Sequence, residues 1–131
     1  RIAETAEHPF SCGYAHLGLG VLSLRQGDVR RALRSFERAL SAGAFAESPV
    51  GFSYVALHLG YARALSGRLD DGIALLEQTV TLAESKRFVA RHALRLAYLG
   101  EAYLLAPPER RVHAVVLAHV HAVHVDVHEL P

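Results

Sequence analysis

The sequence has no Met and no Trp, a single Cys, and few aromatic residues, at 8% of the total. Each scarcity removes a class of structure. One thiol, Cys12, cannot close an internal disulfide, so nothing in the chain asks for an oxidising compartment. As a small apolar residue near a predicted helix start, Cys12 reads as core, with no base nearby in sequence to make it a catalytic thiol. A charge excess of one sign is missing too: the formal net charge is +1 at pH 7. That excludes a global electrostatic pull toward nucleic acid or an anionic membrane. No apolar run approaches the roughly 20 residues that span a bilayer, and the N-terminus lacks the basic-then-apolar layout of a signal peptide. The expected location is therefore cytoplasmic. No phosphate loop, Gly-x-Ser-x-Gly elbow, His-Glu-x-x-His or Cys-x-x-Cys is present, so the expectation is a non-enzymatic chain with no cofactor. Starting at Arg1 and lacking Met, the sequence reads as a fragment of a longer protein.

What is present is apolar and helix-forming. Of 131 residues, 51% are apolar, with Ala and Leu foremost, a composition that favours helix over sheet. His8-Pro9 opens a first predicted helix, about 9–25, because Pro at the first helical position loses no needed hydrogen bond. Tyr14, Leu17, Val21 and Leu24 give it a stripe at three- and four-residue spacing. Gln26-Gly27 ends it. Asp28 caps a second helix, about 29–42, with Val29, Ala32, Leu33, Phe36, Ala39 and Leu40 on one face. Residues 41–48, SAGAFAES, read as a loop, with Gly43 closing the helix. Ser48-Pro49 starts a third helix, about 50–65, which Ser66-Gly67 breaks. A fourth, about 69–84, places Asp70 and Asp71 in its first turn, where the helix dipole favours negative charge. A fifth, about 88–106, stops at Pro107-Pro108.

A forty-residue period runs through these elements. Leu19-Gly20, Leu59-Gly60 and Leu99-Gly100 are spaced by forty, and Gly27 and Gly67 mark matching turns. The small residue in each pair is expected where the two helices of a hairpin cross, with Ala32 and Gly72 facing it. The stretch Leu57 to Leu76 is thus the inside of a central hairpin.

On Leu19, Gly20, Gly27, Ala32, Phe36 and Ala39, then Leu59, Gly60, Gly67, Gly72 and Leu76, then Leu99, Gly100 and Tyr103, the chain resembles the tetratricopeptide repeat. It departs where Ser23 and Arg63 replace an aromatic, where Thr79 replaces an Ala, and where Pro107 replaces a turn glycine. The resemblance implies an all-α fold of antiparallel hairpins stacked as a short right-handed superhelix of five to six helices, forming one domain. Repeat 1 covers about 9–47, repeat 2 about 48–86, and a degenerate repeat 3 about 87–131. The runs LGYARALSGRLDDGIALLEQTV and ALRLAYLGEAYLLA are similar to the C-terminal repeat arrays of bacterial ATPases linked to class III nucleotide cyclases, and to arrays in LuxR-type regulators. Membership would imply a scaffold for protein–protein contact in a signalling protein.

Two sets of residues are candidates for function. In a stacked array the first helix of each hairpin lines a concave groove. Here that places Tyr14, Leu17, Val21 and Leu24, then Tyr54, Leu57 and Tyr61, then Leu94, Ala97, Glu101 and Leu104 in the groove. Such a groove, apolar with tyrosine hydroxyls, suits a partner helix or a neighbouring repeat of the same chain. The same residues serve equally well as packing between hairpins. Open end repeats also make a homo-oligomer an alternative. The second set lies in the tail 109–131, ERRVHAVVLAHVHAVHVDVHELP, which reads either as a weak sixth helix or as an extended segment. If helical, His121, His124 and His128 share a face and form a candidate zinc, nickel or copper site; if extended, His119 and His121 share one, as do His124, Asp126 and His128; the other reading is a solvated or divergent tail. His16, His58 and His92 read as ordinary helix residues. Arg25, Arg30, Arg31, Arg34 and Arg38, of which Arg30, Arg34 and Arg38 fall at i, i+4, i+8, read as a solvated face or an anionic contact.

Overall fold

A computed structural model describes residues 8–87, 89–109 and 111. All regular structure among them is helical. The elements are α1 (Pro9–Arg25), α2 (Val29–Leu40), α3 (Ala44–Glu47), α4 (Pro49–Leu65), α5 (Leu69–Ser85) and α6 (His92–Leu104). The fold is all-α. α1 pairs with α2 and α4 with α5 as two helical hairpins; α2 packs on α4, α5 on α6, and α6 also reaches α4. No helix among the described residues is long and apolar enough to cross a membrane.

Both hairpins turn by the same device. Gly27 has φ of 81° and Gly67 of 93°, a left-handed conformation that glycine adopts without a Cβ penalty. The chain then bonds back five residues: the Asp28 amide donates to the Ser23 carbonyl at 2.9 Å, and the Arg68 amide to the Arg63 carbonyl at 2.9 Å. These two bonds are forty residues apart, so the sequence period is a structural period. Asp28 caps α2 by accepting from the Arg31 amide at 3.0 Å. Ser48 caps α4 by accepting from the Gly51 amide at 3.0 Å.

The expected glycine crossings are present in two of three places. A Cβ on Gly72 would lie 2.6 Å from the Gly60 carbonyl oxygen and 2.7 Å from the Ala64 nitrogen. One on Gly60 would lie 2.9 Å from Cγ of Leu76, and one on Gly20 would lie 2.3 Å from the Phe36 ring. α4 and α5 therefore touch backbone to backbone. At Gly100 an added Cβ meets nothing within 4 Å, so no crossing is formed there by the described residues.

Four boundaries differ from the sequence expectation. α2 ends at Leu40, two residues early, and Gly43 precedes a helix instead of closing one. Residues 41–48 are not simply a loop: they carry α3, whose Phe45 is fully buried. Its ring occupies the space that Gly13 leaves, 2.1 Å from where a Cβ would be. α6 spans His92–Leu104 rather than 88–106, because Arg87 and Arg91 take left-handed φ values of 55° and 62° and break the helix before it.

Two clusters form the core. Leu17, Ala32, Phe36, Ala39 and Phe45 pack with Val55, Leu59 and Ala62 of α4. Ala64, Ile73, Leu76 and Val80 pack with Leu99, Ala102 and Tyr103. The forty-residue equivalents of Val55, Leu59 and Ala62 are Ala15, Leu19 and Leu22. These three are exposed, so α1 is bare on the side that α4 covers with the first hairpin.

Candidate interaction face

Residues one period apart on α4 and α6 touch. The Tyr61 hydroxyl donates to the Glu101 carboxylate, a pair separated by forty positions. The Tyr98 hydroxyl lies 3.3 Å from Nδ1 of His58, again forty positions away. Tyr61 and Tyr98 stack with centroids 4.0 Å apart and planes 3° from parallel. His58 lies between the Phe36 ring, stacked at 5.7 Å, and Tyr98, edge-on at 5.6 Å. The guanidinium of Arg91 sits 5.1 Å above the Tyr54 ring, a cation–π arrangement.

Behind this layer lies Arg95, which is wholly buried. It donates to the Ala90 carbonyl at 2.7 Å and to the Ser53 hydroxyl at 2.5 Å, both neutral acceptors, and its Nε has no partner. Burial pushes the Arg95 guanidinium below its usual pKa; Tyr54 opposes that shift and Arg91 adds to it. His58 is lowered from 6.5 to about 4, first by burial and then by Arg91, Arg25 and Arg95. Tyr61 is raised to about 12, chiefly by its hydrogen bond to Glu101. Burial also raises Tyr98.

The sequence-derived groove residues divide by location. Leu57 is fully buried and Leu17 nearly so. Val21, Leu24 and Tyr54 are half-buried against the first core cluster. Tyr61 and Leu94 are half-buried, while Ala97, Glu101 and Leu104 are exposed. Tyr14 is half exposed, its ring 4.8 Å from that of Phe45. The structure brings Tyr54, Tyr61 and Glu101 into one cluster; Leu17 and Leu57 are interior packing. Sequence reading missed Arg91, Arg95 and Tyr98 as members, and placed Arg25 only in a basic run with Arg30, Arg31, Arg34 and Arg38. The signal was in the period itself: once it is forty, His58 must neighbour Tyr98 and Tyr61 must neighbour Glu101.

Arg30, Arg34 and Arg38 are all exposed. His121, His124 and His128 lie outside the described residues, and among those described no group of three or more His, Cys, Asp or Glu side chains is placed to hold a metal. The class these observations define is an all-α chain with internal forty-residue periodicity. No protein-family model, curated protein or solved structure matches it.

Proposed function

We propose that the chain is a non-catalytic, tetratricopeptide-like array that docks a segment of a protein partner on the face shared by α4, α6 and the end of α1. Its place would be a bacterial, cytoplasmic signalling protein: an ATPase-linked cyclase or a LuxR-type regulator. The observation that carries the reading is the line of partly exposed tyrosines, Tyr54, Tyr61 and Tyr98, each held by a neighbour through stacking, a hydrogen bond or a guanidinium. Tyrosine and arginine fixed in advance lose little conformational entropy on binding, which is why they dominate protein interfaces. The forty-residue contacts support a stacked array, since residues at like positions of successive hairpins must then be neighbours.

Selection of twelve-residue peptides displayed on phage against the whole chain tests this. Peptides that enrich should bind Tyr54→Ala and Tyr61→Ala at least tenfold more weakly, with thermal melting confirming that both variants fold. Failure to enrich any peptide, or equal binding by the variants, would overturn the reading.

A further inference from the structure

We propose that this face takes a partner segment bearing carboxylates, seated against Arg25 and Arg91. The proposal rests on the docking reading above and adds the chemistry of the partner.

Three arginines from two elements and the turn before α6 converge here. Arg91 lies over the Tyr54 ring and Arg95 donates to Ser53, the residue before it on α4, while the exposed Arg25, in the last turn of α1, joins both in lowering the His58 pKa. Like charges gathered beside a low-dielectric cluster repel one another and raise the local positive potential. The usual remedy is a carboxylate among them, and the described residues leave none free to serve. Glu101, which the cluster itself carries, is already engaged by the Tyr61 hydroxyl. Arg25 and Arg91 form no ion pair with a described residue. Arg95 is the strongest sign. A fully buried guanidinium whose bonds among the described residues go only to neutral oxygens, with Nε unpaired, is a charge that no described carboxylate balances. α6 adds to the same sign. Arg91 is its N-cap residue and makes no side-chain cap bond, and its first turn holds no acidic residue, so no side chain of this helix offsets the positive end of its dipole.

The exposed members, Arg25 and Arg91, would make the contacts, and Arg95 would act through its field. A carboxylate side chain fits better than a neutral peptide, because charge-assisted bonds to guanidinium are about twice as strong as neutral ones. The tyrosines on either side would hold the apolar flanks of the segment.

The peptides enriched on the chain report directly on this chemistry. They should be rich in Asp and Glu, and replacing those residues by Asn and Gln should weaken binding at least tenfold. The double variant R25E/R91E should bind the acidic peptides at least tenfold more weakly and, in its own selection, enrich Lys and Arg instead. A titration with inorganic phosphate, followed by NMR at the arginine Nε–Hε groups, separates a peptide site from a small-anion site. Saturating shifts with phosphate and no acidic preference among peptides would overturn the proposal. So would enrichment of neutral peptides that bind R25E/R91E unchanged, a result that leaves the docking reading standing. Absence of any enriched peptide would remove both.

Discussion

The substitution Gly72→Ala opposes two effects whose sizes can be worked from the structure. In a helix interior, Gly to Ala stabilises by about 0.5–1 kcal/mol through backbone entropy. At Gly72 the new methyl would lie 2.6 Å from the Gly60 carbonyl oxygen, about 0.8 Å inside ordinary contact, and 2.7 Å from the Ala64 nitrogen. Both obstacles are backbone atoms of α4, so no side chain can rotate away. The two helices must separate, loosening Leu76 and Ile73 in the core beneath them. Overpacking of this kind costs about 1–3 kcal/mol, and with rigid obstacles on two sides the upper half of that range applies. The net expectation is a loss of about 1–2 kcal/mol, or roughly 3–8 °C in Tm for a domain of this size. Gly100→Ala is the matched control. Its methyl meets nothing within 4 Å, so only the entropic gain remains and Tm should rise by a few degrees. Urea unfolding followed by circular dichroism gives both free energies. If the two variants shift in the same direction by similar amounts, the backbone crossing of α4 and α5 is wrong.

Phe45→Ala should cost about 3 kcal/mol or more, as for other wholly buried phenylalanines, and should loosen Phe10 and Tyr14, whose rings abut it; a loss below about 1 kcal/mol in urea unfolding would show that 41–48 is a surface loop after all. His58 gives a pH signature. Its folded pKa of about 4 lies below the unfolded value of 6.5, so the unfolded chain binds a proton that the folded chain refuses. Stability should therefore fall as pH drops from 6.5 toward 4, by about 3 kcal/mol from this group. His58→Phe should flatten the slope between pH 6.5 and 5, above the carboxylate range, and an unchanged slope would place the imidazole in solvent. Arg87→Gly should stabilise by about 0.5–1 kcal/mol, since a residue with φ of 55° carries a Cβ penalty that glycine does not; thermal melting with no gain would argue against that turn.

The helices were legible because their punctuation is chemical. Pro9, Asp28, Ser48, Gly27 and Gly67 each have a backbone reason to stand at a boundary, and the observed ends fall at or beside them. α6 begins late because its break is made by Arg87 and Arg91, residue types that carry no signal for a left-handed turn. Phe45 was hidden by its surroundings: SAGAFAES is small and polar, and only the void over Gly13 explains why one ring in it is core. Arg95 escaped for the opposite reason. Arginine is ordinarily solvated, and nothing local distinguishes it from the exposed Arg91 one turn earlier. The cluster became readable only through distance in sequence, from pairs forty residues apart.

The bare side of α1 has a consequence for how the molecule opens. α4 is buttressed on both flanks, whereas Ala15, Leu19 and Leu22 of α1 contact solvent where Val55, Leu59 and Ala62 contact a neighbour. Stability in such a stack accrues at each junction, so a helix with one junction frays before a helix with two. Amide hydrogen exchange should accordingly be graded along the chain, fastest in α1 and slowest in α4. The same asymmetry makes α1 the element that gains most from any hairpin laid beside it.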